Sequence, residues 1–280
     1  MNTFELTFFV WLGSLVAGFL GSLTGLGGGV IIVPLLTLAF HVDIRYAIGA
    51  SLVSVIATSS GAAAAYVKEG YSNIRVGMFL EVATTFGAIT GAMIAVRLPL
   101  PAIAIIFGIV LLYSAYMSYY PSKEIHAAEK TGPVAAWLRM DGTYPTPEGL
   151  KAYRVQGVPA GFSLMYLAGI LSGLLGIGSG AVKVIAMDRA MRLPFKVSTT
   201  TSNFMIGVTA AASAGVYLNR GYIDPGLSMP VMLGVLAGSL AGTFVLAKAR
   251  TPLLRTLFSV VVAALAVEML VSAVTGRFSH

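Results

Sequence analysis

The stretch Gly25-Leu26-Gly27-Gly28-Gly29 interrupts an apolar run that extends from residue 6 to residue 40 without a charged side chain. A run of this length exceeds the roughly 18 residues that indicate a membrane-spanning helix. Glycine inside a helix costs about 1 kcal/mol relative to alanine, so four glycines in five positions disfavour a continuous helix. Non-helical backbone at membrane depth is tolerated only where protein buries it or where it lines a watery cavity. The stretch therefore predicts a helix that is broken inside a membrane protein.

Composition extends this interpretation to the whole chain of 280 residues. Charged residues make up 10% of it, against roughly 25% in soluble domains, and hydrophobic residues make up 57%. Further charge-free runs of membrane-spanning length cover residues 46–67, 98–122, 155–182, 197–219 and 225–247. A soluble enzyme and a disordered scaffold are excluded, and the chain is predicted to be an all-α polytopic membrane protein.

The chain repeats itself at an offset of 151 positions, which indicates an internal duplication. The matched pairs are Gly25/Gly176, Gly27/Gly178, Gly29/Gly180, Ser51/Ser202, Tyr71/Tyr222, Gly87/Gly238, Gly91/Gly242 and Phe107/Phe258. Residues separated by this offset are called equivalent below. The predicted divisions are a first transmembrane repeat at 1–120, a cytoplasmic linker loop at 121–157 and a second transmembrane repeat at 158–280.

Each repeat is predicted to be a glycine-broken helical hairpin followed by three transmembrane helices. The hairpins occupy residues 6–40 and 159–188. The helices that follow are predicted near 46–67, 76–96 and 101–120, and near 197–218, 226–247 and 253–274. The linker contains proline, glycine and both signs of charge, so we expect a solvated loop with a short helix at its start.

The distribution of basic residues favours two repeats of inverted topology. If each broken stretch enters and leaves on one side, thirteen of the 18 Lys and Arg residues lie on one side and four on the other. If each broken stretch crosses once, the same loops divide nine against eight. Cytoplasmic loops are richer in Lys and Arg. We therefore expect a multi-pass protein with the 121–157 loop in the cytoplasm and both termini outside.

Inverted hairpins would bring two backbone breaks together near the midplane, where helix N-termini favour an anion. The alternative is that the glycines only allow close helix packing, which is the interpretation we favour for Gly87, Gly91, Gly238 and Gly242. The candidate substrate-binding residues are Gly25, Gly27, Gly28, Gly29, Ser51, Gly176, Gly178, Ser179, Gly180, Lys183, Ser202 and Asn203. Their hydroxyl, amide and backbone N–H donors suit reversible binding of an oxyanion.

Lys183 is a basic residue inside a membrane segment, where a charge is costly. It is predicted to supply positive charge to the substrate, with an ion pair to Asp188 or extension to the interface as alternatives. Glu81 and Glu268 lie within apolar helices and are candidates for proton coupling. The alternative is that each lies in a solvated niche near a helix end.

Enzyme signatures are weak in this chain. Cysteine is absent, and the three histidines at 41, 126 and 280 lie outside the predicted membrane helices. The sequence Gly49-Ala50-Ser51-Leu52 resembles the serine motif of intramembrane rhomboid proteases, but no histidine base accompanies it. We predict that the chain is not an enzyme and needs no cofactor or metal.

The two glycine motifs, preceded by Ala17-Gly18 and Ala168-Gly169, resemble those of the TauE/SafE family of sulfite and sulfonate exporters. The resemblance spans about 10–120 and 160–275. It implies transport of sulfite, sulfoacetate or related organosulfonates across the bacterial inner membrane, with both glycine motifs as the family's repeated hairpin motif. Some relatives import thiosulfate through essential cysteines, a route that this cysteine-free chain should not use.

The second copy departs from the first, with Ser179 in place of Gly28 and Lys183 in place of Ile32. The second half is therefore expected to contribute more of the specific ligand contacts. The predicted function is export of a small sulfur-containing anion by alternating access, and the alternatives are a passive anion channel and a non-transporting membrane scaffold. Expected partners are the anion and membrane lipid, with a homodimer permitted and no nucleic acid.

Overall fold

Long charge-free runs fold into helices throughout the computed structural model, which describes residues 3–24, 28–68, 71–119, 130–146, 149–246 and 251–276. The first half contains α1 (Thr3–Thr24), α2 (Gly29–Pro34), the π-helical segment π1 (Leu35–Ala39), α3 (Ile44–Lys68), α4 (Ile74–Arg97) and α5 (Leu100–Tyr119). Between the halves lie α6 (Pro133–Trp137), β1 (Gly142–Thr146) and β2 (Gly149–Tyr153). The second half contains α7 (Val158–Leu175), α8 (Gly180–Ile185), π2 (Ala186–Ala190), α9 (Phe195–Asn219), α10 (Pro225–Leu246) and α11 (Thr251–Val274).

The predicted helices are present, and within the described residues five of them are long and apolar enough to cross a membrane, namely α1, α4, α5, α7 and α10. Their outward faces carry large apolar side chains such as Phe8, Phe86 and Leu240. Exposed apolar faces of this kind suit contact with lipid rather than water. The chain is thus a multi-pass all-α membrane protein.

The element boundaries repeat at the offset found in the sequence. Helices α2, α3, α4 and α5 begin 151 positions before α8, α9, α10 and α11, and π1 begins 151 positions before π2. The equivalent residues His41 and Arg192 share the unusual backbone angle φ of 56°. The duplication therefore extends to local backbone conformation.

Equivalent side chains also cap equivalent helices. Asn73 accepts a 3.1 Å hydrogen bond from the backbone N–H of Val76 at the start of α4. Asp224 accepts a 2.9 Å hydrogen bond from the N–H of Leu227 at the start of α10. Such caps satisfy backbone donors that have no partner in the first helical turn.

The second arm of each glycine-broken stretch folds back along the first arm. In the first, a Cβ on Gly13 of α1 would lie 2.9 Å from Leu35 of π1. In the second, a Cβ on Gly157 before α7 would lie 2.2 Å from the carbonyl oxygen of Ala190 at the end of π2. The two arms of each stretch therefore run antiparallel, and the returning arm is short.

The equivalent helices α5 and α11 pack in opposite directions. A Cβ on Gly108 of α5 would lie 2.6 Å from Leu270 near the end of α11. Ser259 near the start of α11 donates a 2.8 Å hydrogen bond to the carbonyl of Ala115 near the end of α5. These two contacts fix an antiparallel pair.

The central helices α3 and α9 are also equivalent and also antiparallel. A Cβ on Gly49, early in α3, would lie 2.2 Å from the carbonyl oxygen of Tyr222, which follows α9. A Cβ on Gly207 in the middle of α9 would lie 2.5 Å from the hydroxyl of Ser59, later in α3.

Glycines bring α4 against α7 at backbone distance. A Cβ on Gly87 or Gly91 would lie 2.2 or 2.1 Å from the carbonyl oxygen of Tyr166 or Ile170. The equivalent Gly238 of α10 meets the carbonyl of Leu15 of α1 in the same way. These glycines allow close packing of helices within the chain, as predicted. Gly87 and Gly91 are covered by α7 and cannot contact a second copy of the protein. A homodimer through another face stays a prediction.

The linker is more ordered than the sequence suggests. Strands β1 and β2 form an antiparallel hairpin, and Ala135, Met140, Tyr153 and Val155 are buried together with residues of α4, α7 and α9. The expectation of an irregular loop is wrong here, because the segment contains a helix and a hairpin and these scattered apolar residues cover the ends of the membrane helices, whereas most of its other described residues are exposed or half-exposed. Burial raises the pKa of Tyr153, whose neutral hydroxyl accepts a 2.7 Å hydrogen bond from the side chain of Asn73.

Candidate functional site

The broken stretches of the two halves meet at α3. The hydroxyl of Ser51 donates a 2.7 Å hydrogen bond to the carbonyl of Gly176, which ends α7. A Cβ on Gly29, at the start of α2, would lie 3.1 Å from the same carbonyl oxygen and 2.8 Å from the Ser51 hydroxyl. Three candidate residues from three elements therefore share one small space, and glycine at 29 is required for the close approach.

The second break is a run of left-handed backbone. Gly176, Gly178 and Ser179 have φ angles of 68°, 71° and 44°. Glycine adopts this region without strain, and at Ser179 the side chain donates a 2.7 Å hydrogen bond to the carbonyl of Ala168 in the opposite arm. The equivalent Gly28 has an ordinary helical φ of −66°. Gly25 and Gly27 lie outside the described residues.

Polar side chains of α9 line the second hairpin. The Ser202 hydroxyl donates a 3.3 Å hydrogen bond to the carbonyl of Gly180. The equivalent serines 51 and 202 thus both contact the second hairpin, where each hydroxyl donates to a backbone carbonyl. Asn203 is half-buried beside Ser202. Binding of substrate by these three residues stays a prediction.

Lys183 is fully buried on the short helix α8. Its ammonium donates a 2.6 Å hydrogen bond to the hydroxyl oxygen of Thr209 on α9. A buried ammonium in a membrane protein is costly unless other groups compensate its charge. The partner of this bond comes from α9 rather than from Lys183's own hairpin.

Glu81 of α4 completes the network from the other side of Thr209. The Thr209 hydroxyl donates a 2.7 Å hydrogen bond to Glu81 Oε1, and Thr85 donates a longer one of 3.4 Å to the same oxygen. Glu81 is 8% exposed. Its second oxygen, Oε2, is buried without a hydrogen-bond partner among the described residues. Lys183, Thr209 and Glu81, called the polar triad below, join three helices.

Sequence reasoning selected two members of the triad separately and missed the third. Thr209 was visible only as the equivalent of Thr58, and a threonine in a membrane helix usually hydrogen-bonds within its own helix. Thr58 does this, donating to the carbonyls of Ser54 and Val55, and the Thr209 hydroxyl also lies 2.9 Å from the Met205 carbonyl of its own helix in addition to its contacts with Glu81 and Lys183. The available signal was that Glu81 and Lys183 are buried charges of opposite sign, which predicts a connection but does not identify its intermediary.

The remaining candidates lie elsewhere. Glu268 is exposed on α11, and the structure does not bring it to the triad. A cavity of about 710 Å³ lies between α1, π1 and α11, with a largely apolar lining that includes Phe9, Phe40 and Leu265. Its position on the first hairpin separates it from Lys183 and Thr209, so the triad is the stronger candidate site for an anion.

The triad combines one cationic donor, one anionic acceptor and one hydroxyl that links them. The ammonium and the hydroxyl are donors of the kind that hold an oxyanion, and a cation–hydroxyl pair is a strong recognition element when desolvated. The carboxylate is a proton acceptor in the same network. The arrangement is therefore suited to bind an anion and to exchange a proton.

Comparison with known proteins gives consistent similarities. The model of the family described as sulfite exporter TauE/SafE matches residues 10–269. The probable membrane transporter protein YunE of Bacillus subtilis (strain 168) is 28% identical over 246 residues, covering 85% of this chain and 87% of that protein. YdhB of the same organism, also a probable membrane transporter protein, is 25% identical over 83% of this chain and 86% of its own.

A probable membrane transporter protein of Xylella fastidiosa (strain 9a5c) is 24% identical over 258 residues, which cover 91% of each chain. No solved structure matches this chain.

Proposed function

Since this chain belongs to the TauE/SafE sulfite exporter family of membrane transporters, we propose that it is a secondary transporter for a small sulfur-containing anion. Sulfite and organosulfonates such as sulfoacetate are the proposed substrates, and the bacterial inner membrane is the proposed location. Transport proceeds by alternating access, with export as the physiological direction. The chain carries out no chemical reaction on the anion.

The observation that carries the proposal is the meeting of the two broken stretches beside a buried cation. Gly29 of the first hairpin and Gly176 of the second both contact Ser51, and Lys183 follows the second break by one helical turn. Broken helices that meet near the middle of inverted repeats are a common construction for transporter binding sites.

The packing directions support inverted repeats at 1–120 and 158–280. A pair of equivalent helices packs antiparallel when the two-fold axis lies across the helices, and α5/α11 and α3/α9 both do so. Each hairpin returns to its own side, so three crossing helices follow it and each half crosses an odd number of times. The second half then starts on the opposite side from the first.

The orientation follows from the basic residues. The side that includes residues 121–157 carries most Lys and Arg, so it faces the cytoplasm and both termini face outward. A thiol-reactive label that cannot cross membranes should spare a cysteine introduced in 130–146 in right-side-out vesicles. Labelling from outside would overturn this orientation.

The substrate site comprises the two breaks and the polar residues beside them. The proposed residues are Gly25, Gly27, Gly28, Gly29, Ser51, Gly176, Gly178, Ser179, Gly180, Lys183, Ser202 and Asn203. Lys183 supplies the charge, the hydroxyls and amide supply neutral donors, and the glycines allow the backbone to approach the anion.

The test is the thermal stability of detergent-purified protein against sulfite, sulfate, thiosulfate, sulfoacetate, taurine, phosphate and chloride at matched ionic strength. A ligand at 100 times its Kd stabilises the folded form by about 2.7 kcal/mol. We expect selective stabilisation by sulfite or a sulfonate, lost in Lys183→Met and retained in the matched variant Ile32→Met. No shift from any sulfur anion would contradict the proposed substrate class.

A further inference from the structure

The triad already holds an anion, because Glu81 supplies one. Its carboxylate accepts the proton of the Thr209 hydroxyl at 2.7 Å, and the oxygen of that hydroxyl accepts from Lys183 at 2.6 Å. One positive and one negative charge thus face the same hydroxyl from opposite sides. The network is neutral as a whole, which is the condition under which such groups are retained in a membrane interior.

Three other ionisable residues on the elements that pack against α4 and α8 contact groups outside the triad. The hydroxyls of Tyr166 and Tyr217 contact Thr90 and backbone carbonyls respectively, and Lys196 lies 4.1 Å from the ring of Tyr71. Asp188 and Arg189 of π2 have polar interactions as well. Among the described residues, Glu81 and Lys183 are each the other's charged neighbour.

An oxygen of a bound oxyanion could accept the hydrogen bond that Thr209 donates to the Glu81 carboxylate. A hydroxyl has one proton to donate, and the Thr209 hydroxyl has two acceptors, Glu81 Oε1 at 2.7 Å and the Met205 carbonyl at 2.9 Å. An oxygen of an incoming anion would compete with both for this proton. The carboxylate is also incompletely satisfied, because Oε2 is buried and has no hydrogen-bond partner among the described residues. An anion with several oxygens would satisfy Thr209 and Lys183 together.

We propose that the Glu81 carboxylate occupies the anion site when substrate is absent, and that a sulfonate takes its place on Thr209 and Lys183 as Glu81 binds a proton. This inference rests on the proposed function. If the carboxylate stayed charged, a sulfonate and Glu81 would both oppose the single charge of Lys183 in a desolvated site. For a monovalent sulfonate the charges balance when one proton from water joins Glu81 for each anion that enters; sulfoacetate brings one further negative charge on its carboxylate.

A consequence is that the anion and the proton cross the membrane together. Protonated Glu81 and anion-bound Lys183 form one state of the site, and free carboxylate with Lys183 forms the other. Co-transport of a monovalent sulfonate with one proton is electroneutral, so an inward proton gradient opposes its export, and net export requires an outward gradient of that anion that exceeds the proton gradient.

Isothermal titration calorimetry of sulfoacetate binding, in buffers of different ionisation enthalpy at pH 7, tests this exchange. Both acid groups of sulfoacetate are ionised at this pH, so a proton that is taken up binds either to the protein or to the carboxylate of the bound ligand, and the Glu81→Gln variant separates the two. We expect the wild-type protein to take up about one proton per anion bound. In Glu81→Gln the uptake falls close to zero, and binding tightens roughly tenfold because the competing carboxylate is gone.

Threonine variants keep the test valid if Glu81→Gln does not fold. Thr209→Ser retains the hydroxyl and should retain proton uptake, whereas Thr209→Val should lose most of the binding. The matched control is Thr58→Val at the equivalent position, whose hydroxyl contacts its own helix, and it should leave both quantities unchanged.

The outcomes separate this inference from the proposed function. Sulfoacetate binding by the wild-type protein without proton uptake would overturn the exchange and leave the transporter proposal intact. Unchanged uptake in Glu81→Gln would place the proton on another group and also overturn it. If neither sulfoacetate, sulfite nor thiosulfate binds, the proposed substrate class fails and this inference fails with it.

Discussion

The triad and its equivalent positions, each drawn from both halves of the chain, differ in charge. The positions equivalent to Glu81, Thr209 and Lys183 are Met232, Thr58 and Ile32. Ile32 is fully buried, as Lys183 is, but it is apolar, and the Thr58 hydroxyl contacts only carbonyls of α3 in the hydrogen bonds that the structure describes. Each set draws residues from both halves, and one set is a charged network whereas its equivalent is an apolar set around a threonine.

The packing around these positions is duplicated far more closely. The π-helical segments, the helix caps and the glycine contacts recur at the same offset. Arg45 lies 5.7 Å from the ring of Tyr222, and the equivalent Lys196 lies 4.1 Å from the ring of the equivalent Tyr71. A nearly symmetric scaffold thus supports an asymmetric site, which is why we assign packing to the shared features and anion chemistry to the unshared ones.

The largest expected effect on stability comes from Lys183→Ile, which replaces Lys183 by the residue found at the equivalent position, Ile32. This change leaves the Glu81 carboxylate buried without its cation, and removing one partner of a buried charge pair costs about 3–5 kcal/mol. The free energy of unfolding, measured by titration with SDS from mixed micelles, should fall by that amount. A fall of under about 1 kcal/mol would mean that the two charges do not stabilise each other.

The double variant Lys183→Ile with Glu81→Met gives the triad the composition of its equivalent positions Ile32, Thr58 and Met232. Because no charge is left unpaired, it should recover most of the stability lost in Lys183→Ile, a coupling that a double-mutant cycle measures. Transport of sulfoacetate into proteoliposomes should stay lost. A double variant as unstable as the sum of both singles would contradict the electrostatic pairing.

Thr209→Val and Thr58→Val compare the two threonines directly. Thr209→Val removes the link between two buried charged groups and should lower the free energy of unfolding by about 1–3 kcal/mol. Thr58→Val should lower it by less than about 1 kcal/mol, because its hydroxyl is satisfied within α3. Equal losses of unfolding free energy in the same SDS titration would contradict the claim that Thr209 stabilises the protein by linking Glu81 to Lys183.

Gly87→Ala and Gly238→Ala test the symmetry of the scaffold. A Cβ at either position would fall 2.2 or 2.0 Å from a backbone carbonyl oxygen of the neighbouring helix. Each variant should destabilise by about 1–3 kcal/mol through overpacking. Melting temperatures in detergent should fall by similar amounts, and a large difference would show that the two helix pairs are packed differently.

The smallest expected effect is at the two cation–aromatic contacts. Tyr71→Leu and Tyr222→Leu should each cost about 0.5–1 kcal/mol, with the larger cost at Tyr71, where the cation is closer to the ring. Phenylalanine at the same positions keeps the aromatic face and should retain most of the stability. Equal losses for Leu and Phe would assign the effect to the hydroxyl.

Most of the fold is predictable, because the lengths of the apolar runs and the positions of the glycines determine where the helices begin, break and pack. The offset of 151 residues, read from glycine and tyrosine matches, reappears in the helix boundaries. The linker was the main error, since Met140 and Val155 stand among polar residues and show no periodic pattern. Their burial depends on the helix ends that they cover, which no local pattern reports.

The site was predictable only in part. The charge of Lys183 and the glycines of the breaks stand out in an apolar sequence. The role of Thr209 does not, because it depends on α4, α8 and α9 meeting at one point. Ser51 shows the same limit, since its bond to Gly176 spans the two halves of the chain.

Counterflow of radiolabelled sulfoacetate in proteoliposomes preloaded with unlabelled sulfoacetate tests the central claim most directly, namely that the triad carries the anion. The wild-type protein should show saturable uptake, which the folded double variant Lys183→Ile with Glu81→Met should lack, while Thr58→Val transports at the wild-type rate. Wild-type counterflow in the double variant would contradict the claim and place the anion elsewhere in the protein.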